Sequence, residues 1–163
     1  MYGNQVIWAG FDKLELGPAA FKRVLLIGYQ NGFQVIDIEE ASNFNELVSK
    51  RDGPVTFLQM LPIPIKCDGN EGYRSSHPLM LVVAGDEANS SSQGQTFNSG
   101  GSGRDGGLES QSGNSVQFYS LRSNCYVQVL RFRSAVFMVR CSPLIVAVGL
   151  ETQVSSYFCE ILT

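Results

Sequence analysis

The sequence predicts an all-β fold of stacked sheets, and three observations predict it. Short runs of branched and aromatic residues recur between turn residues along the chain. Three of these runs, ending at Ile27, Ala84 and Val148, each close on a glycine: Gly28, Gly85 and Gly149. With a Ser/Gly-rich stretch and a polar loop set aside, the runs return at roughly the forty-residue, four-strand spacing of a WD-type blade. The chain therefore reads as WD-repeat-like β-propeller blades, an incomplete ring of about two and a half.

Length and composition set the frame. The 163 residues fit one domain, and 44% hydrophobic residues suffice for a core. A net charge of −3, with Lys22, Arg23, Arg131, Arg133 and Arg140 scattered, argues against a nucleic-acid partner. Cys67, Cys125, Cys141 and Cys159 form no C-x-x-C pair and lack the close spacing of a secreted scaffold, so they read as reduced thiols. The N-terminus has no basic segment leading into an unbroken apolar run, and Leu79 to Ala84 is too short to span a bilayer. A cytosolic chain is expected, which leaves the acceptor pattern Asn89-Ser90-Ser91 without a glycosylation role.

In chain order, Gln5 to Phe11 reads as a strand and Lys22 to Tyr29 as a second. The second strand's Val24-Leu25-Leu26-Ile27 run is apolar on both faces, which calls for cover on both sides. Asn31-Gly32 predicts a type I′ hairpin turn into a third strand, Phe33 to Ile38. Ser42 to Lys50 places Phe44, Leu47 and Val48 at helical spacing, which favours a helix over a short edge strand. Asp52-Gly53-Pro54 is a turn, and Val55 to Leu61 is a strand ended by Pro62 and Pro64. Cys67 to Pro78 reads as a polar loop before the apolar strand Leu79 to Gly85.

The chain then runs through Asp86 to Asn114, where Ser, Gly, Gln and Asn dominate, and a disordered insertion is expected there. Strands resume at Ser115 to Leu121 and Cys125 to Phe132. Ala135 to Cys141, Leu144 to Gly149 and Val154 to Ile161 make a third unit that is cut short. Tight turns at Arg133-Ser134 and Ser142-Pro143 punctuate this stretch, and the whole of 1–163 reads as one partial propeller.

No motif here carries catalysis. Gly101-Ser102-Gly103-Arg104-Asp105-Gly106 spells G-x-G-x-x-G, but no strand precedes it and no helix follows. His77 is the only histidine and is expected on a surface loop, which rules out a multi-histidine metal site and argues against a His-based triad. Glu39-Glu40 follows a strand at a turn and reads as solvated. Arg131, Arg133 and Arg140 lie around one turn, where they form either a small anion patch or ordinary solvated strand ends. Ser90, Ser91 and Ser92 are candidate phosphorylation sites within a stretch that could equally be a passive spacer. No enzyme, cofactor or metal is expected.

Val6-Ile7-Trp8-Ala9-Gly10-Phe11-Asp12, Val24 to Tyr29 with Gly32 to Val35, Asp52-Gly53-Pro54-Val55, and Val129 to Ser134 with Val139 to Pro143 resemble one family in particular. They are similar to the N-terminal part of the plant autophagy-related protein eighteen family, whose larger members carry a breast-carcinoma-amplified-sequence domain behind a WD-repeat propeller. The resemblance implies a seven-bladed scaffold, not an enzyme. It also implies binding to phosphatidylinositol 3-phosphate and the 3,5-bisphosphate on autophagic and endosomal membranes, and to other autophagy proteins. In that family lipid is held by a Phe-Arg-Arg-Gly motif in a later blade. Phe132-Arg133-Ser134 is the nearest approach here, so no lipid-binding residue carries over. The Trp-Asp strand ending is also replaced, by Ile36-Asp37 and by Tyr119-Ser120.

Overall fold

The computed structural model describes residues 5–40, 42–64, 75–85 and 113–158. They form three antiparallel sheets in strict chain order. Blade 1 is β1 (Val6–Gly17), β2 (Ala20–Tyr29), β3 (Gly32–Asp37) and β4 (Asn45–Lys50). Blade 2 is β5 (Val55–Met60), β6 (Leu79–Ala84), β7 (Ser115–Ser120) and β8 (Cys125–Arg131). Blade 3 is β9 (Val136–Cys141), β10 (Ile145–Leu150) and β11 (Val154–Phe158), giving sheets of four, four and three strands. The all-β propeller-blade reading therefore holds, down to the short third unit.

The two cores lie between blades. Val24, Leu26, Phe33 and Val35 of blade 1 pack on Leu58, Met80, Val82 and Tyr119 of blade 2. The opposite face of blade 2, with Leu79, Leu81, Val83, Val116 and Phe118, packs on Val139, Val146 and Val148 of blade 3. Period-two alternation explains the division: even and odd residues of β6 feed different cores, and all six are buried. The run in β2, also expected to be covered twice, is covered once. Val24 and Leu26 are buried, while Leu25 and Ile27 on the far face stay half-exposed, because no sheet lies beyond blade 1 among the described residues.

Several local expectations are corrected. Ser42 to Lys50 holds no helix: β4 pairs with β3 through Val35↔Val48 and Phe33↔Lys50, and its backbone groups find partners in that ladder. Phe44, part of the helical spacing, is exposed. The first strand runs on to Gly17, because Asp12, Lys13 and Leu14 continue the ladder against Val24, Arg23 and Lys22. The β2–β3 turn is centred on Gln30 and Asn31, closed by Tyr29↔Gly32, and neither central residue has positive φ, so it is not type I′. Gly32 is needed for a different reason: a Cβ there would lie 1.9 Å from the Lys50 carbonyl oxygen.

Other turns follow the sequence. Gly53 has φ 126° in the Asp52-Gly53-Pro54 turn, and Asn124 has φ 57° in the turn before β8, a conformation asparagine tolerates. Of the expected insertion, 86–112 lie outside the described residues. Gly113 and Asn114 belong to the blade: the Asn114 amide donates to the Ala84 carbonyl at 3.0 Å, and Gly113 accepts the Val136 amide at 2.8 Å.

Candidate functional site

Where blade 1 meets blade 2, polar side chains are fixed by backbone partners. Asp12 accepts the Met60 amide at 2.8 Å, and Glu15 accepts the Ile63 amide at 2.8 Å. At the other end of the seam the Arg51 guanidinium donates to the Phe33 and Lys50 carbonyls at 3.1 and 2.9 Å and stacks over Tyr29 at 4.8 Å. Tyr126 donates its hydroxyl to Asp52 at 2.9 Å. Burial and then that bond push the Tyr126 hydroxyl far above the usual tyrosine range. Burial also raises Tyr119, whose ring sits edge-on to Phe33 and Tyr126 at centroid distances of 5.4 and 5.1 Å. Sequence reading assigned no site role to Asp12, Glu15, Asp52 or Tyr126, although Asp52 was read as part of a turn. The signal available was acids set into or beside otherwise apolar strands.

An open cleft of about 980 Å³ lies beside the β1–β2 hairpin. Lys13 and Arg122 bring two cations to it, Ile63, Pro64 and Pro78 give it apolar walls, and Glu15 is already tied to Ile63. Lys13 also lies 5.1 Å from the Phe21 ring. Such a lining can receive an extended segment of another chain. His77 lines this cleft but is 5% exposed, which corrects the surface-loop reading. It enters β6 through a cis peptide to Pro78, beside Ser76, whose carbonyl accepts the Ser120 hydroxyl at 2.6 Å. The start of a wholly buried strand carries the histidine inward with it.

The remaining sequence candidates separate. Arg131 ends β8 and Arg133 lies in the turn that follows, both exposed. Arg140 lies four residues into β9, about 13 Å along the strand at ~3.3 Å per residue, and donates to the Val139 carbonyl at 2.8 Å. The three arginines thus stand on different elements, the end of β8, the turn after it and the far part of β9. Glu39 accepts the Arg23 amide at 2.7 Å, and Glu39 and Glu40 are both exposed, as a turn predicts. Cys125 and Cys141 lie on strands and neither is in a disulfide; the Cys141 thiol faces the Met60 carbonyl at 3.8 Å. Cys67, Cys159, the serines at 90–92 and the glycine motif at 101–106 lie outside the described residues. Among the described residues no group of His, Cys, Asp and Glu could hold a metal, and no helix is long and apolar enough to cross a membrane.

Comparison with known proteins agrees with this architecture. The family described as BCAS3, WD40 repeat matches residues 4–162. Autophagy-related protein 18g of Arabidopsis thaliana is 57% identical over 167 residues, an alignment that covers 98% of this chain and 17% of that protein. Autophagy-related protein 18h of the same plant is 57% identical over 153 residues, covering 93% and 16%. The chain thus spans under a fifth of the length of either relative. Among solved structures, Hsv2 of Kluyveromyces lactis superposes with a TM-score of 0.51 at 8% identity, over 96% of this chain and 34% of that one. That likeness supports the fold alone.

Proposed function

The chain belongs to the BCAS3 WD40-repeat family, and from that premise we propose that it supplies blades to a WD-repeat scaffold of the autophagy machinery. The observation that carries this reading is the use made of its polar groups. Asp12, Glu15, Arg51 and Asp52 join sheet to sheet or turn to strand, while the cleft beside the β1–β2 hairpin is open to other chains. The 57% identity to a protein named autophagy-related supports the cellular setting.

Membrane contact completes the proposal. The scaffold works in the cytoplasm and reaches autophagic or endosomal membranes through 3-phosphorylated phosphoinositides, held by blades that follow these in a longer chain. Phe132-Arg133-Ser134 lacks the paired arginines, and Arg140 donates to its own strand, so lipid contact is not assigned to these residues. Vesicle flotation with phosphatidylinositol 3-phosphate, compared with unphosphorylated phosphatidylinositol, tests it. The present chain is expected to stay in the dense fractions with both vesicles, and a chain of the relatives' length to float with the 3-phosphate alone. If the longer chain also fails to float, the lipid reading falls. What remains is a protein-interaction module without lipid binding, which the open cleft beside the β1–β2 hairpin favours.

A further inference from the structure

The tip of the β1–β2 hairpin runs past the sheet it belongs to. β3 pairs with β2 only as far as Val24↔Asp37, whereas β1 and β2 pair on to Gly17↔Ala20. The overhang is fixed in place: Leu14 is buried in the first core, and Glu15 accepts the Ile63 amide in the β5–β6 connection of blade 2. It forms one wall of the cleft beside the hairpin. The other wall comes from the stretches that follow β5 and enter β6, and from Arg122 in the turn before β8. The cleft is thus built from the length of one hairpin and from two connections of blade 2.

The lining defines what fits it. Pro18, Pro64 and Pro78 carry no amide hydrogen, so these wall positions offer no backbone donor and an anion there must be met by side chains. Lys13 and Arg122 are those side chains. Both are exposed, and neither has an acidic partner among the described residues; Lys13 lies over the Phe21 ring instead. Leu16 and Phe21, in the same lining, are 52% and 50% exposed, an apolar surface that the described residues leave uncovered. Glu15 limits the charge that can enter. Its carboxylate stands in the lining, which disfavours a multiply charged phosphate group but leaves room for single carboxylates held apart along an extended chain.

We propose that this cleft holds an extended segment of another protein in which two acidic side chains flank an apolar one. The acids pair with Lys13 and Arg122, and the apolar side chain lies on Leu16 and Phe21. The inference rests on the reading of the chain as part of a scaffold that contacts other proteins, and it names the chemistry of one such contact.

Fluorescence anisotropy tests this with a set of labelled synthetic peptides, each with two glutamates set apart by leucine and serine, beside the same set with glutamine. At least one glutamate peptide is expected to bind, about tenfold tighter than its glutamine counterpart, and to weaken as salt screens the pairs. Lys13→Glu and Arg122→Glu should each weaken it about tenfold or more. Arg133→Glu makes the same charge change in the turn at the other end of β8 and should leave binding unchanged. All three side chains are exposed, so the fold tolerates the changes. Absence of binding by every glutamate peptide overturns the proposal, and so does equal weakening by Arg133→Glu. Binding that appears only after Asp68→Asn with Glu71→Gln overturns it as well, since acids of the chain itself then hold the cleft. Capture of the chain by phosphatidylserine vesicles through Lys13 and Arg122, with no peptide bound, overturns it in favour of a membrane surface. Flotation of a chain of the relatives' length reads the scaffold's lipid contact separately, so a failure there and a failure here are told apart.

Discussion

The Asp12 carboxylate of β1 accepts the Met60 amide of β5 at 2.8 Å, so one side chain of blade 1 terminates the backbone ladder of blade 2. Its other oxygen accepts the Lys13 amide at 2.7 Å. Loss of the acceptor leaves the Met60 amide unsatisfied at a partly buried seam, and Asp12→Ala is expected to cost about 1–3 kcal/mol. Asp12→Asn keeps an acceptor oxygen and should cost less. Urea unfolding of the three proteins checks the order; equal stability of Asp12→Ala and wild type would remove the seam from the account.

Close approach of backbones makes the second prediction. Gly28→Ala drives a Cβ toward the Val55 carbonyl oxygen, a backbone atom that cannot turn aside, so β2 and β5 must separate. The expected loss is about 1–3 kcal/mol, as for other overpacked cores. Gly17→Ala is the control: nothing lies within 4 Å of its added methyl, and the change should stay within about 0.5 kcal/mol. If both substitutions give the same melting temperature, blade approach does not depend on Gly28.

The pair Lys22–Asp37 ties β2 to β3 at 2.7 Å and gives stability a pH window. The hydrogen bond from Lys22, followed by the one from the Glu39 amide, holds the Asp37 carboxyl below its usual 3.8. That contribution is present above 3.8 and is lost as pH falls through the lower folded value. The hydrogen bond to Asp37 raises Lys22 above 10.5, so its contribution is full below 10.5 and lost as pH rises through the higher folded value. Asp37→Asn should therefore melt below wild type at neutral pH, and the difference should vanish in strong acid. A difference that persists unchanged there would mean packing, and not charge, holds the pair.

Tyr126 offers a spectroscopic test of the same seam. Its hydroxyl is held protonated by burial and by the bond to Asp52, so in alkali it should stay un-ionised while exposed tyrosines titrate. Comparison of the alkaline absorbance change of wild type and Tyr126→Phe should show no loss of amplitude until the fold opens. Removal of the hydroxyl should cost about 0.5–1.5 kcal/mol. An amplitude loss near the ordinary tyrosine range would place Tyr126 in solvent.

Most of this architecture was legible from local pattern. Strands flanked by turn residues, such as β6 between Pro78 and Gly85, stood out because run length and punctuation agree. β4 did not, since Phe44, Leu47 and Val48 satisfy helical spacing, and only the non-local ladder to β3 decides for strand. The far half of β1 was hidden because Asp12, Lys13 and Glu15 look like a loop until Asp12 and Glu15 are seen to serve the next blade. His77 was misplaced for a similar reason: a polar residue before proline reads as surface, and its burial is set by the strand it introduces. Site geometry was the least legible part, because most of its partners are backbone amides and carbonyls, which no residue type announces.

The last prediction concerns the stretch between β6 and β7. Their pairing has its own partners at the stem. Ala84 pairs with Ser115, the Asn114 amide and the Ser115 hydroxyl both donate to the Ala84 carbonyl, and the Gly85 amide donates to Pro54 at 3.2 Å. Gly113 must stay, because its carbonyl accepts the Val136 amide and so fixes the start of blade 3. Replacement of 87–111 by a four-residue Gly/Ser turn shortens the closed loop several-fold, and the entropy of closure then falls by about 1–2 kcal/mol. The shortened chain should therefore unfold at higher urea with both inter-blade cores intact. A lower midpoint would show that the removed residues contribute contacts to the blades, and the stem at Ala84 and Asn114 would no longer account for the strength of this hairpin.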